Sequence, residues 1–394
     1  MSNKQVNVNQ FDDWLKDESD VAALVMRQRL EPVEGKDAVI FPPTYAKPER
    51  TKEEDWTGYN IDRFEDGTSV CQIDSVGSQA NRMEPVFRRE KYKHLIPQVI
   101  IRASTEGKER MIDILDAGHR AADAIVRFST LGPELHEAFR VYKDDGNAEP
   151  LARIAPTSIL FGSWDSRATQ AKLPRIVRSV IRAFNVKELH RSAQYSTVAG
   201  EILEGGDAEV TTKGPKAELG LAHVPSVLTH GGIQVLGEIR RDATLNFVAV
   251  RALAASSDGD SSLNLRRYIL GLALVSLTAP MESSLREGCQ LVPDPDHAAE
   301  WKLVRHDGTR QDFPITHDQA VAFATAAAKK FGVQQRDTPA TFDSGLVNIV
   351  LGLSEADHKK LFKQGPITRE AIKQLEKEAS KRNKSKNVKP EAGK

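Results

Sequence analysis

The sequence predicts a mixed α+β protein, and three observations carry that reading. Residues 263–277 (LNLRRYILGLALVSL) are apolar almost all round after Arg266 and Arg267, and their length suits a central buried helix. Short β-branched runs at 70–73 (VCQI) and 245–253 (LNFVAVRAL) read as strands. Between them lie segments with apolar residues three and four apart, which read as helices.

Taken in order, residues 21–30 (VAALVMRQRL) suit a strand or a short helix, and the Pro-rich stretch 31–60 suits a loop. The next segment, SVCQIDSVGSQANRMEPVFRR, reads as a strand over 70–73, a turn over 74–77 and a helix signalled by Ser78. In MIDILDAGHRAADAIVRFS, the positions of Ile112, Leu115, Ala122 and Val126 predict a helical stripe, with Asp116/Arg120 and Asp123/Arg127 as i,i+4 pairs. IAPTSILFGSWDS reads as a strand running into a tight turn at 162–165. KLPRIVRSVIRAF reads as a helix, burying Ile176, Val177, Val180, Ile181 and Phe184 and presenting Arg175, Arg178 and Arg182 opposite. Residues 196–232, rich in Gly, Thr, Ser and Pro, suit a protruding hairpin or long loop. The C-terminal stretch starts as a helix and runs into a Lys-rich tail of disordered composition.

A chain of 394 residues, 40% hydrophobic and 28% charged, has room for two or three domains or one large elaborated core, and excludes a wholly disordered or fibrous protein. The net charge of zero conceals an asymmetry. Residues 1–70 carry 9 basic and 15 acidic side chains, residues 71–194 carry 20 and 15, and the last 24 residues carry 8 and 3. The N-terminus lacks an apolar signal-like run and no segment reaches membrane-spanning length, so a cytoplasmic protein is expected. Cys71 and Cys289 have no Cys-x-x-Cys spacing and read as buried thiols. No histidine pair has metal-site spacing, and phosphate-loop, dinucleotide and nucleophile-elbow patterns are absent, so neither a metal nor a cofactor is expected.

Two constellations remain. Ser75, Ser78, Gln79, Asn81 and Arg82, followed by Arg88 and Arg89, set small donors and cations at a helix entrance, which suits a phosphate or ribose. A plain capped helix with surface arginines explains them equally well. Trp164, Asp165, Ser166 and Arg167, followed by Arg175, Arg178 and Arg182, suit a surface that stacks a base and tracks a sugar-phosphate chain. Their plainer reading is a core tryptophan beside a solvated basic face. For His119 and Arg120 an interior structural role is favoured on local grounds.

DSVGSQANRMEP, LDAGHRAADAIVR, APTSILFGSWDSR and SSLREGCQLVP occur together and in this order. Over about residues 20 to 355 the chain thereby resembles the RAMP-superfamily backbone subunit of type I-U (also called I-G) CRISPR surveillance complexes, which are Cascade-like ribonucleoproteins of antiviral defence. The resemblance implies a ferredoxin-like, RRM-related palm with inserted finger and thumb elements. It implies an acidic segment over 1–70 holding the first palm strand and the Pro-rich loop. The palm would be built from 71–195 and 233–365, the thumb from 196–232, and a helix with a Lys-rich tail would follow over 366–394. Copies would stack as a helical oligomer along one CRISPR guide RNA, beside other effector subunits, with target DNA read by base pairing. Ser75, Ser78, Gln79, Asn81 and Arg82 would contact the guide, joined by Arg120, Trp164 and Arg167, while the thumb would wedge between bases and reach the neighbouring subunit.

A non-catalytic scaffold is therefore the leading expectation. The alternative is a nuclease subunit that cleaves the target or the guide precursor with Asp74 or Asp165, each in a turn beside a basic helix. Capping or turn-forming aspartates are the commoner use of such positions.

Overall fold

The computed structural model describes residues 8–49, 56, 58–105, 107–256, 259–336 and 338–386. The Lys-rich tail beyond residue 386 lies outside them. The elements that position the site are β1 (Val21–Pro32), β2 (Ser69–Asp74), α1 (Val76–Met83), α2 (Gly132–Asp145), β3 (Val177–Phe184), β4 (Val186–Tyr195), β5 (Val224–Val235), β6 (Ile239–Asn246), α3 (Gly259–Thr278), β7 (Cys289–Pro293), β8 (Glu300–Arg305), α4 (His317–Phe331) and α5 (Arg369–Lys386).

The protein is α+β, as the sequence predicts. In its main sheet β8 pairs with β1, β1 with β6 and β6 with β3, every pair antiparallel. That spatial order, with helices following β1 and β6 along the chain, is the split β-α-β-β-α-β arrangement of ferredoxin-like sheets. β2 adds to the outer edge of β3, and Ile61–Arg63 adds to β2.

The pleat divides the strands into two faces. Leu24 and Met26 of β1, Ala243 and Leu245 of β6, and Val177 and Ser179 of β3 point inward and are buried. α3 lies among the core helices, with Leu265 and every residue from Arg267 to Leu277 buried, as its all-round apolar sequence requires. The other face presents Arg27 and Arg29 of β1, Arg240 and Asp242 of β6, and Arg178 and Arg182 of β3.

β4 and β5 form a long antiparallel hairpin that leaves the sheet between β3 and β6 and carries two short helices, Val198–Glu204 and Pro215–Glu218, at its far end. The excursion assigned to 196–232 therefore starts ten residues earlier and includes two paired strands. A second core cluster at the hairpin's base includes both Cys71 and Cys289. Burial raises both thiols, Cys71 to about 12 and Cys289 to about 11. A third cluster joins Ser344–Leu351, Glu355–Gln364 and α5 into a small C-terminal helical unit.

Four local readings are corrected by tertiary context. Residues 177–184 form strand β3, because Arg178 and Arg182, four apart, share a face in either periodicity, and pairing with β6 and β2 selects the extended form. The stripe over 112–126 is broken into strand Lys108–Asp113, the 3₁₀ turns Ile114–Asp116 and Arg120–Ala122, and helix Ala124–Arg127. The strand expected before Gly162 is instead the fully buried helix Pro156–Leu160. The strand read at 245–253 ends at Asn246, whose side chain caps helix Phe247–Arg251.

Gly271 is the close contact between α3 and α4, where an added Cβ would stand 2.8 Å from Ala324 Cα. Replacing a helical glycine by alanine ordinarily gains roughly 0.5–1 kcal/mol, but here overpacking opposes it by about 1–3 kcal/mol. Gly271→Ala is therefore expected to lower stability, measured as a shift in the denaturant midpoint.

Candidate nucleic-acid interface

The three motifs of the N-terminal half meet at one cleft of about 580 Å³, lined among others by Gly77, Asn81, Arg120, Trp164, Lys172 and Arg175. Arg120 joins them. Its backbone is left-handed, φ 53°, and its side chain is buried. It donates to Gly162 O at 3.3 Å and to Asn81 Oδ1 at 3.0 Å, lies over the Phe161 ring, and stands 2.8 Å from Glu84. Charge and side-chain hydrogen bonding from Arg120 and Thr157 both hold the Glu84 carboxyl in place. Burial raises the Glu84 carboxyl to about 7 against the opposing pull of the Arg120 charge. The pairs expected for Arg120 with Asp116 and Arg127 with Asp123 are absent, since Asp116 binds Arg88 at 2.6 Å and Arg127 binds Asp165 at 3.2 Å.

Helix α1 is capped by Ser75, whose hydroxyl accepts from the Ser78 amide; Ser78 therefore sits one turn inside the helix rather than at its start. Ser78, Gln79 and Arg82 all turn back to Asp74. Its carboxylate, 1% exposed, accepts from Ser78 Oγ at 2.7 Å, Gln79 Nε2 at 2.7 Å, Arg82 Nε at 3.1 Å and a terminal guanidinium nitrogen of Arg286 at 3.3 Å. Gln79 in turn accepts from Ser179 Oγ. Of the SQANR motif, only Asn81 faces the cleft.

Asp165 is also filled by its own chain, accepting from Arg127 and from the amide and hydroxyl of Thr169. Both aspartates thus carry structural bonds, and Asp74, expected in a turn, is the last residue of β2. Among the described residues no three His, Cys, Asp or Glu side chains are grouped to hold a metal ion.

The cations of the cleft contrast with these. Arg175 and Lys172 form no ion pair among the described residues. Burial pushes the Arg175 guanidinium below its ordinary pKa, and the like charges of Arg120 and Arg178 add to the shift. Arg175 passes so close to Gly162, φ 78°, that a Cβ there would meet its Cγ at 2.7 Å. Trp164 is 58% exposed, with Lys172 Nζ 5.8 Å from its ring centroid. Arg178 and Arg182, also without ion-pair partners among the described residues, lie on the open sheet face. Arg167 faces a second cleft, of about 850 Å³, beside α2 and Glu355–Gln364. Arg89 lies at the edge of a small cavity behind α1.

Sequence reasoning missed Lys172, Glu84 and Arg127. Lys172 lies inside AKLPR, seven residues beyond the turn already singled out, and its place just before the arginine series at 175–182 was the available signal. Glu84 and Arg127 carried none, since their partners are 36 and 38 residues away.

The fold and cleft define an α+β protein with a ferredoxin-like sheet and a cationic, aromatic-lined groove at its side. Residues 24–188 match the family model described as CRISPR-associated protein GSU0053. The matched stretch holds the SQANR, GHRAAD and GSWDSR motifs and every residue of the cleft, and is similar to a CRISPR-associated protein; SSLREGCQLVP lies outside it. No curated protein matches the chain. Among the described residues no helix is long and apolar enough to cross a membrane.

Two outcomes are expected from this geometry. Asp74→Asn leaves Arg82 and Arg286 without their counter-charge and should cost about 3–5 kcal/mol in a denaturant titration. Glu84 holds its proton more tightly folded than unfolded, so its contribution is fully present below its unfolded pKa, near 4.5, and is lost as pH rises towards about 7. Unfolding followed across that window should show the stability of the native chain, relative to Glu84→Gln, falling as pH rises.

Proposed function

We propose that this protein is an RNA-binding backbone subunit of a type I-U (I-G) CRISPR effector complex, gripping the sugar-phosphate chain of the guide while its bases pair with target DNA in antiviral defence. The observation that carries the reading is the pair of cations without counter-ions, Lys172 and Arg175, beside the exposed ring of Trp164, where three motifs of the matched stretch converge. Cations left unpaired while neighbouring arginines are matched to carboxylates are suited to phosphates, and an exposed indole is suited to a base face. Arg178 and Arg182 extend the cationic surface onto the sheet. Ser75, Ser78, Gln79, Arg82 and Arg120 enter this reading as the framework that sets Asn81 and the cleft wall. Arg88, paired to Asp116, and Arg89 and Arg167, at separate surfaces, are outside the proposed grip.

In this reading several copies line one guide, other effector subunits join them, and the β4–β5 hairpin is the thumb. The protein needs no catalytic group of its own, because sequence recognition belongs to base pairing.

Co-expression with a CRISPR array, followed by sizing of the RNA that purifies with the protein, should yield a discrete guide-length RNA bound by several protein copies. A nucleic-acid-free monomer would count against the proposal. Filter binding should show Lys172→Ala/Arg175→Ala weakening RNA binding at moderate salt, with the slope of log K against log salt reduced by about 1 to 2. Trp164→Ala should cost about 1–3 kcal/mol. Unchanged affinity and slope in the double variant would remove the cleft from the site.

A further inference from the structure

Arg241 lies on the inner face of β6, 3% exposed, in register with Gln28 on one side and Ile181 on the other. Its Nε donates to Ser179 Oγ at 3.1 Å and a terminal nitrogen approaches Met83 Sδ at 3.3 Å. Among the described residues it has no carboxylate partner, since Asp74, the carboxylate of this network, is taken by Arg82 and Arg286. Burial pushes the Arg241 guanidinium down to about 10, which still leaves it charged at neutral pH. A buried cation without a counter-charge is costly, by several kcal/mol per ion on general grounds.

The surroundings hold a place for the missing charge. A small cavity of about 20 Å³ is lined by Arg241, Arg82, Arg89, Gln79 and Ser276. Glu282 stands at its margin with its side chain half exposed, 3.7 Å from Arg82. The buried Arg241, without a counter-charge, thus borders room for one water-sized particle, whereas Arg82 is already engaged by Asp74, Leu285 O and Glu282, and Arg89 is exposed.

We propose that this cavity is a binding site for a small monovalent anion of the chloride class, held by Arg241. A phosphate or sulfate group is too large for the space. Water would fit and accept a hydrogen bond but would leave the charge uncompensated. The anion neutralises the Arg241 guanidinium behind α1, and through Ser179 and Gln79 it steadies the helix that carries Gly77 and Asn81 to the cleft. The inference does not depend on the RNA-binding reading, because the cavity lies behind α1 and outside the cleft.

The test exchanges chloride for gluconate, too large for the cavity, at constant ionic strength and follows the thermal midpoint of the full chain. The midpoint of the native protein should rise with chloride, and that rise should vanish in Arg241→Met. Crystals of the native protein grown in bromide should show an anomalous peak against the Arg241 guanidinium, a readout that needs no variant to fold. Equal chloride dependence in the native protein and Arg241→Met, a native midpoint indifferent to chloride, or a cavity holding only water in the bromide crystals would overturn the proposal.

Discussion

The need to satisfy one buried cation organises the candidate site. Arg120 is removed from water, and a guanidinium in that position must find acceptors or unfold the segment that carries it. It finds Gly162 O, Asn81 Oδ1 and the Glu84 carboxylate, which belong to the GSWDSR motif, to α1 and to the turn after α1. Residues 81–84, Arg120 and Gly162, from three separate parts of the chain, are thereby held at fixed distances. The cleft between them follows from that constraint, and the left-handed backbone at Arg120 is strain of the kind that only an over-determined surrounding maintains.

A second network does comparable work on the inner face of the sheet. Asp74 gathers Ser78, Gln79, Arg82 and Arg286, and Gln79 passes the connection to Ser179 and Arg241. These bonds pin α1 against β3 and β6 while apolar burial supplies the bulk of the driving force around α3. Polar groups that look available for a ligand in the linear sequence are consumed here as fasteners. Trp164 and Lys172, by contrast, face each other across the short strand pair of Ser163–Trp164 with Lys172–Leu173, and they and the nearby Arg175 are matched to no carboxylate among the described residues. Scaffold and contact surface are thus separated residue by residue within the same motifs.

The misread elements share a physical cause. A spacing of four satisfies both a helix and a strand, so Arg178 and Arg182 were compatible with either, and only pairing with β6 and β2 decided for the strand. Residues 112–126 have a helical stripe, yet its first two residues belong to Lys108–Asp113, which is drawn into a sheet with Ile100–Thr105, and only Ala124–Arg127 at its end is α-helical. IAPTSIL suits a strand on its local pattern, but complete burial among helices, with Pro156 in the first turn, favours the helix. Local propensity was a weak guide wherever long-range pairing was available.

The sequence by itself determined the α+β class, the buried helix over 263–277, the presence of a helix after the strand at 70–73, though its N-cap, Ser75, lies three residues before the Ser78 that signalled it, and the four ordered motifs that carry the family resemblance. Those features rest on patterns a few residues wide, which composition and periodicity record directly. Tertiary structure alone decided which charged groups are spent and which are free. Asp74 meets Arg286 across 212 residues, Arg120 meets Asn81 across 39, and Arg241 meets Ser179 across 62. A charge is neutralised or left open by what lies within about 4 Å of it, and for these residues that neighbour comes from a distant part of the chain.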